Sequence, residues 1–195
     1  DWFRIFQQIE APLGVYSILG NHDYGNYVEW KSLEAQRKNL RELLTLQKEM
    51  GWKMLRNENA LLEQNGDAIA IVGVENWGKS DWQPKYGDLD SAVKGVEDIP
   101  LKLLLSHDPS HWEAQVIGHQ HHFDVTFSGH THGMQFGVEA GPIKWSPSQY
   151  FYPQWAGLYE QHEKLLYVNR GFGFIGFPGR IGMPPEITIL ELVRA

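Results

Sequence analysis

The stretch Phe127-Ser-Gly-His-Thr-His-Gly-Met134 constrains this chain more than any other. Its two histidines, His130 and His132, stand two residues apart. On a helix, paired metal-ligating histidines need a spacing of four to share a face. At a spacing of two they reach one point only from extended or looped backbone. The run before them, residues 123–128, has strand character, so the histidines fall where a strand gives way to a loop. Gly129 and Gly133 let that loop turn sharply and let a ligand approach closely. Imidazole suits zinc, copper, iron and nickel, so the stretch predicts a metal site at a strand's carboxyl end.

Two more apolar runs end in similar groups. Residues 14–19 lead into Gly20-Asn21-His22-Asp23, and residues 101–106 deliver His107, Asp108 and Pro109. Open α/β sheets form their sites in the crevice outside the carboxyl ends of the strands. Asn21 offers a carbonyl oxygen there, and His107, His130 and His132 offer imidazole nitrogens.

Other classes are bounded by composition. The chain has 195 residues, 42% hydrophobic and 21% charged, enough for one domain with a proper core. A net charge of -7 leaves no basic footprint for nucleic acid. The absence of cysteine removes disulfide scaffolds, thiolate zinc sites and cysteine nucleophiles together. No apolar run has the length to span a bilayer. Periodicity predicts helices over 1–10, 27–50, 89–96 (with Asp88 as N-cap) and 111–117. It predicts strands over 14–19, 54–56, 60–63, 67–74, 101–106, 123–128, 157–160, 164–169 and 186–193.

In this order, Gly20-Asn21-His22-Asp23, the isolated His107, and Gly129-His130-Thr131-His132 resemble the later signature segments of the calcineurin-like metallophosphoesterases. The whole chain resembles their bacterial branch of membrane-associated or exported phosphodiesterases, down to the closing Tyr167-Val-Asn-Arg-Gly171 and Pro185-Glu-Ile-Thr188. The resemblance implies an α+β fold, a sandwich of two mixed β-sheets flanked by helices. It also implies a phosphoester substrate, hydrolysed by a hydroxide bridging two divalent metal ions (manganese, iron or zinc). Asn21, His107 and His130 would ligate the second metal and His132 the first. His22 would stabilise charge or donate a proton near the leaving-group oxygen, and Asp23 would orient His22.

The family's earlier Asp-x-His and Gly-Asp-x-x-Asp segments are not in this sequence. Residues 1–195 are therefore expected to be a single metallophosphoesterase domain truncated at its amino end. Alone, it would be inactive or nearly so, and prone to self-association through an uncovered edge. Membrane association through an upstream segment, or export, is the compartment that the branch implies. The alternative reading is a non-catalytic binding module retaining at most one metal; a zinc hydrolase of acyl bonds fits the Asn ligand less well.

Several features read as structural. His111, His119, His121, His122 and His162 match no family position, and residues 118–122 read as a solvated loop. Gly171-Phe-Gly-Phe-Ile-Gly176 spells G-x-G-x-x-G, but Pro178 and Gly179 stand where a helix should begin, which excludes dinucleotide binding. Arg170 and Arg180 are expected in structural pairs, a phosphate clamp being the alternative. Trp145, Tyr150, Phe151, Tyr152 and Trp155 are expected as core beneath a long loop, the alternative being the lining of a substrate cleft or a membrane-facing surface.

Overall fold

In the computed structural model, which describes residues 2–141 and 143–193, the apolar runs assemble into a six-stranded mixed sheet. The strands are β1 (Tyr16–Ser17), β2 (Lys53–Met54), β3 (Glu58–Gln64), β4 (Asp67–Gly73), β5 (Leu101–Leu105), β6 (Val125–Ser128), β7 (Val138–Ala140), β8 (Ile143–Trp145), β9 (Gly157–Gln161) and β10 (Lys164–Val168). The main sheet runs β3-β4-β5-β6-β10-β9. Its four central strands are parallel, with antiparallel β3 and β9 at the two edges. Register puts Leu103 opposite Val125, and Val125 opposite Leu165.

Strands buried in a parallel core read as continuous apolar runs rather than alternating ones, which is why Leu101–Leu105 is nearly all aliphatic. One face of the sheet carries Ala70, Val72, Leu104, Leu166 and Val168, all fully buried. Against them pack helix α3 (Leu89–Val93), Trp112, Val116 and Phe123. Asp88 caps α3 as its sequence predicts, accepting a hydrogen bond from Ser91 N–H at 3.0 Å. Lys164 is buried beneath this layer, and its ammonium donates to the carbonyls of Val116 and Ile117.

On the other face, the parallel pair β1–β2 forms a second small sheet, with Ile18 and Leu55 lying against β4 at Gly73. Helix α2 (Leu33–Glu49) joins it through a 2.6 Å hydrogen bond from Ser17 Oγ to Gln47. The third sheet is the hairpin β7–β8. The architecture is the mixed α/β arrangement that the resemblance implies, with one large mixed sheet and few helices.

Several expected elements are shorter, the strands over 14–19 and 54–56 being Tyr16–Ser17 and Lys53–Met54 and the helix over 89–96 ending at Val93, and three differ more. Helix α2 begins at Leu33 rather than 27, because Ser32 takes Ala35 N–H and caps it there, leaving residues 27–31 as loop. The first helix, α1, is confined to Trp2–Phe6, with Asp1 outside the described residues. Residues 186–193 form no strand among the described residues. A strand needs neighbours for its N–H and C=O groups, and here Glu186 N–H alone reaches a backbone carbonyl, that of Gly171. Ile187 and Ile189 are accordingly more than four-fifths exposed. The G-x-G-x-x-G stretch is loop, as expected, with no helix after it among the described residues.

Candidate metal centre

Because β5 and β6 run parallel, their carboxyl ends emerge at one edge of the sheet. The ladder continues past the strands through Ser106 N–H to Phe127 O and Gly129 N–H to His107 O, which sets His107 beside His130. Strand β1 brings Leu19, Gly20 and Asn21 to the same place from the second sheet. Asn21 Oδ1 lies 2.9 Å from His107 Nε2 and 3.1 Å from His130 Nδ1, and the two imidazole nitrogens are 3.2 Å apart. Three donor atoms from three distant segments thus form a nearly equilateral triangle.

Local backbone chemistry makes this meeting possible. A Cβ on Gly20 would stand 2.7 Å from His107 Cε1, so only glycine lets the β1 end pass over that ring. His130 and His132 have φ of 65° and 52°, left-handed values rare outside glycine. Strain of this kind persists where the surroundings over-determine it, commonly at functional sites. It also resolves the two-residue spacing. Looped backbone turns both rings into one cleft of about 460 Å³, which Asn21, His22, Asp23 and His107 also line.

Electrostatics favours neutral rings. Burial pushes His107 down to about 3, assisted by the charges of His130, His132 and His22. Burial lowers His130 against the pull of Asp108, and lowers His132 together with Arg180. Neutral imidazoles keep lone pairs for a cation. His132 Nδ1 is buried with no hydrogen-bond partner among the described residues.

Two tyrosines join the site, Tyr27 with no role there expected of it and Tyr152 against its expected place in the core. Tyr27, in the loop that α2 leaves free, accepts a 2.6 Å hydrogen bond from Asn21 Nδ2, which fixes the amide so that Oδ1 faces the histidines. Its ring also stacks on His22, with centroids 4.1 Å apart. Tyr152, expected in the core, has its hydroxyl 2.7 Å from His130 Nε2. Burial and then the Asp108 charge push the Tyr152 phenol up. Tyr27 follows the Gly20–Asp23 segment by four residues but fits no position of it, and Tyr152 lies far from any motif, so the fold was needed to reveal their contacts. Asp23 accepts Gly20 N–H at 2.7 Å, closing the turn that carries Asn21 and His22. Burial raises its carboxyl, opposed by that hydrogen bond and by His22.

The structural readings of the arginines and of His111 hold, whereas Tyr150 and Phe151, expected in the core, are 72% and 69% exposed, and only Trp155 of that aromatic stretch is buried. Arg170 pairs with Glu139 and Glu186, and Arg180 donates to the carbonyls of Gly173 and Arg170. His111 is a satisfied core histidine between Ser106 and Gln115. A larger hollow of about 860 Å³ lies by His119, but that ring is 3.3 Å from the Asp90 carboxylate. Among the described residues, no three His, Asp or Glu side chains are placed to hold a metal ion by themselves. The cluster becomes a three-donor set through the Asn21 carbonyl.

The profile of the calcineurin-like phosphoesterases matches residues 1–134. The chain belongs to that family. It is 24% identical over 200 residues to the metallophosphoesterase YkoQ of Bacillus subtilis, covering 98% of this chain and 64% of that protein. It is 29% identical over 231 residues to the UDP-2,3-diacylglucosamine pyrophosphatase LpxG of Chlamydia trachomatis, covering 94% and 65%. A transmembrane protein with a metallophosphoesterase domain from Danio rerio is 30% identical over 195 residues, covering 96% of this chain and 40% of its own length. The chain thus spans less than two thirds of the length of these relatives. No solved structure matches it. No helix among the described residues is long and apolar enough to cross a membrane.

Proposed function

We propose that this chain carries half of the centre of a metal-dependent phosphoester hydrolase. The observation that supports this best is the triangle of Asn21 Oδ1, His107 Nε2 and His130 Nδ1, with edges of 2.9, 3.1 and 3.2 Å. Adjacent ligands on one first-row cation, each at about 2.1 Å, stand about 3.0 Å apart in octahedral and 3.4 Å in tetrahedral geometry. The donors already have that spacing, and mixed nitrogen and oxygen ligation suits manganese, iron or zinc. Asn21, His107 and His130 would hold one ion. His132, with its orphaned Nδ1, would serve a second.

When bound, two such ions supply Lewis-acid stabilisation of phosphoryl charge and a water of lowered pKa. The chain's own contribution is positional. Tyr27 holds the Asn21 amide and the His22 ring together, so the proton donor is indexed to the ligand set. His22 would protonate the leaving-group oxygen, with Asp23 fixing the turn that presents it. Asp23 lines the cleft but is engaged with Gly20 N–H, and we assign the remaining carboxylates for the second ion to sequence outside this chain.

Phe174 and Ile175 line the same cleft and are 62% and 49% exposed. An apolar rim beside a phosphoryl site favours an amphiphilic phosphoester, a substrate class in keeping with a relative named as a diacylglucosamine pyrophosphatase. Membrane attachment or export of the natural protein accords with a relative named as transmembrane. The missing carboxylates favour one rival, a binding module that keeps a single metal.

Elemental analysis combined with turnover of a chromogenic phosphodiester in manganese separates the readings. The natural full-length protein is expected to hold two ions and to hydrolyse the ester, and this chain to hold one ion without turnover. One ion and no turnover in both would establish the binding module. Robust turnover by this chain alone would place the missing carboxylates within it.

A further inference from the structure

The far side of His130 is as organised as the side that faces Asn21. Around Nε2 stand Tyr152 Oη at 2.7 Å, Gln83 Nε2 at 3.3 Å and Asp108 Oδ2 at 3.5 Å. Asp108 is 1% exposed. Its Oδ1 accepts Ser110 N–H at 2.8 Å, while Oδ2 is buried with no hydrogen-bond partner among the described residues. An orphaned carboxylate oxygen is costly to keep in a core. Here it faces the ring of a candidate ligand.

The chemistry of that ring explains the orphan. For Nδ1 to offer its lone pair to a cation, the neutral imidazole must carry its proton on Nε2. That proton needs an acceptor. The phenol oxygen of Tyr152 is at hydrogen-bonding distance, and its own proton then needs an acceptor in turn, which Asp108 Oδ2 can be. Gln83 fits the same state. Its Oε1 is also buried and unpartnered, and half a turn of the amide would exchange that oxygen with the nitrogen now 3.3 Å from Nε2. Gly78 makes room for this cage, since a Cβ there would meet Gln83 Oε1 and come within 2.9 Å of Asp108 Oδ2.

We propose that Tyr152 and Asp108 are positioning residues for the metal: the hydroxyl accepts a hydrogen bond from the Nε2–H of His130 and donates its own to the carboxylate, and Nδ1 is left free to ligate. The inference rests on the metal reading of Asn21, His107 and His130. Outer partners of ligating histidines are typically worth about 10–100-fold in metal affinity. Tyr152→Phe keeps the ring and its packing while removing the proton acceptor. Asp108→Asn keeps an acceptor for Ser110 N–H while removing the charge.

The test is manganese and zinc affinity of the full-length protein by calorimetry, with proton NMR of the zinc form. Wild type is expected to show a protected, low-field His130 Nε2 proton. Tyr152→Phe is expected to lose that protection and bind each ion at least tenfold more weakly, and Asp108→Asn to weaken binding in the same direction. Tyr150→Phe, altering an exposed neighbour, serves as the control and should match wild type. Unchanged affinity in Tyr152→Phe would overturn the inference and leave the metal reading standing. An effect in Tyr152→Phe with none in Asp108→Asn would assign the phenol proton to Gln83 and overturn the carboxylate's part. No binding by wild type would overturn the inference and the metal reading together.

Discussion

Replacing Gly20 by alanine tests whether the approach of β1 to His107 builds the site. The new methyl would begin 2.7 Å from His107 Cε1 and 2.9 Å from both ring nitrogens. Ordinary contact needs about 3.4 Å or more, so the ring or the strand end must shift by roughly 0.7 Å. Overpacking of this kind costs about 1–3 kcal/mol. Reduced freedom of the unfolded chain returns about 0.4–1 kcal/mol, leaving a net loss between about 0 and 2.6 kcal/mol, centred on roughly 1.3. The larger consequence falls on the site. Ligand distances tolerate about 0.2 Å, and moving His107 by three times that opens its 2.9 Å approach to Asn21. Urea unfolding should show the stability loss at unchanged slope, and calorimetric manganese affinity should fall at least tenfold. An alanine variant that unfolds and binds manganese like wild type would refute the argument, because the contact would then be relieved without cost.

Three further outcomes follow from other parts of the structure. Tyr27→Phe leaves the ring stacked on His22 but removes the acceptor for Asn21 Nδ2, so metal affinity should fall severalfold, in line with about 1 kcal/mol for one hydrogen bond; equal affinity in calorimetry would mean the amide needs no such anchor. Burial holds His111 down to about 4, so the unfolded chain takes up a proton there before the folded one does. Its contribution is fully present above about pH 6.5 and is lost as pH falls from there toward 4, on the order of 3 kcal/mol. His111→Gln should flatten that part of the curve of metal-free stability against pH, and an unchanged slope would argue against the buried ring as its source. Asp88→Ala should remove the α3 cap and cost about 1 kcal/mol in thermal unfolding while leaving metal affinity alone; a change in affinity would tie α3 to the site.

Which features could be read from the sequence follows from whether their causes are local. Leu101–Leu105 is recognisable because a strand covered on both faces needs apolar residues throughout, and Asp88 because a cap acts within one turn. His107, His130 and His132 stood out since each ends such a run. Tyr27 and Tyr152 did not, for their roles depend on tertiary placement: Tyr27 sits in loop only because Ser32 stops α2 short of it. Asp108 looked like an unremarkable neighbour of His107, and its burial against His130 depends on the packing of the Gln83 and Tyr152 segments. Residues 186–193 misled in the opposite way. Their composition favours a strand, yet pairing requires a neighbour that composition cannot specify.

The triangle of donors also joins remote parts of the chain. Asn21 and His107 are 86 residues apart, and His107 and His130 another 23. A cation there closes two loops at once, and the entropy of loop closure grows only slowly with length. Such an ion would act as a reversible crosslink between the beginning and the middle of the chain, stabilising the folded state according to its free concentration. The melting temperature should then depend on the metal supplied, and chelation should loosen the β1 segment from the main sheet before the parallel strands themselves separate.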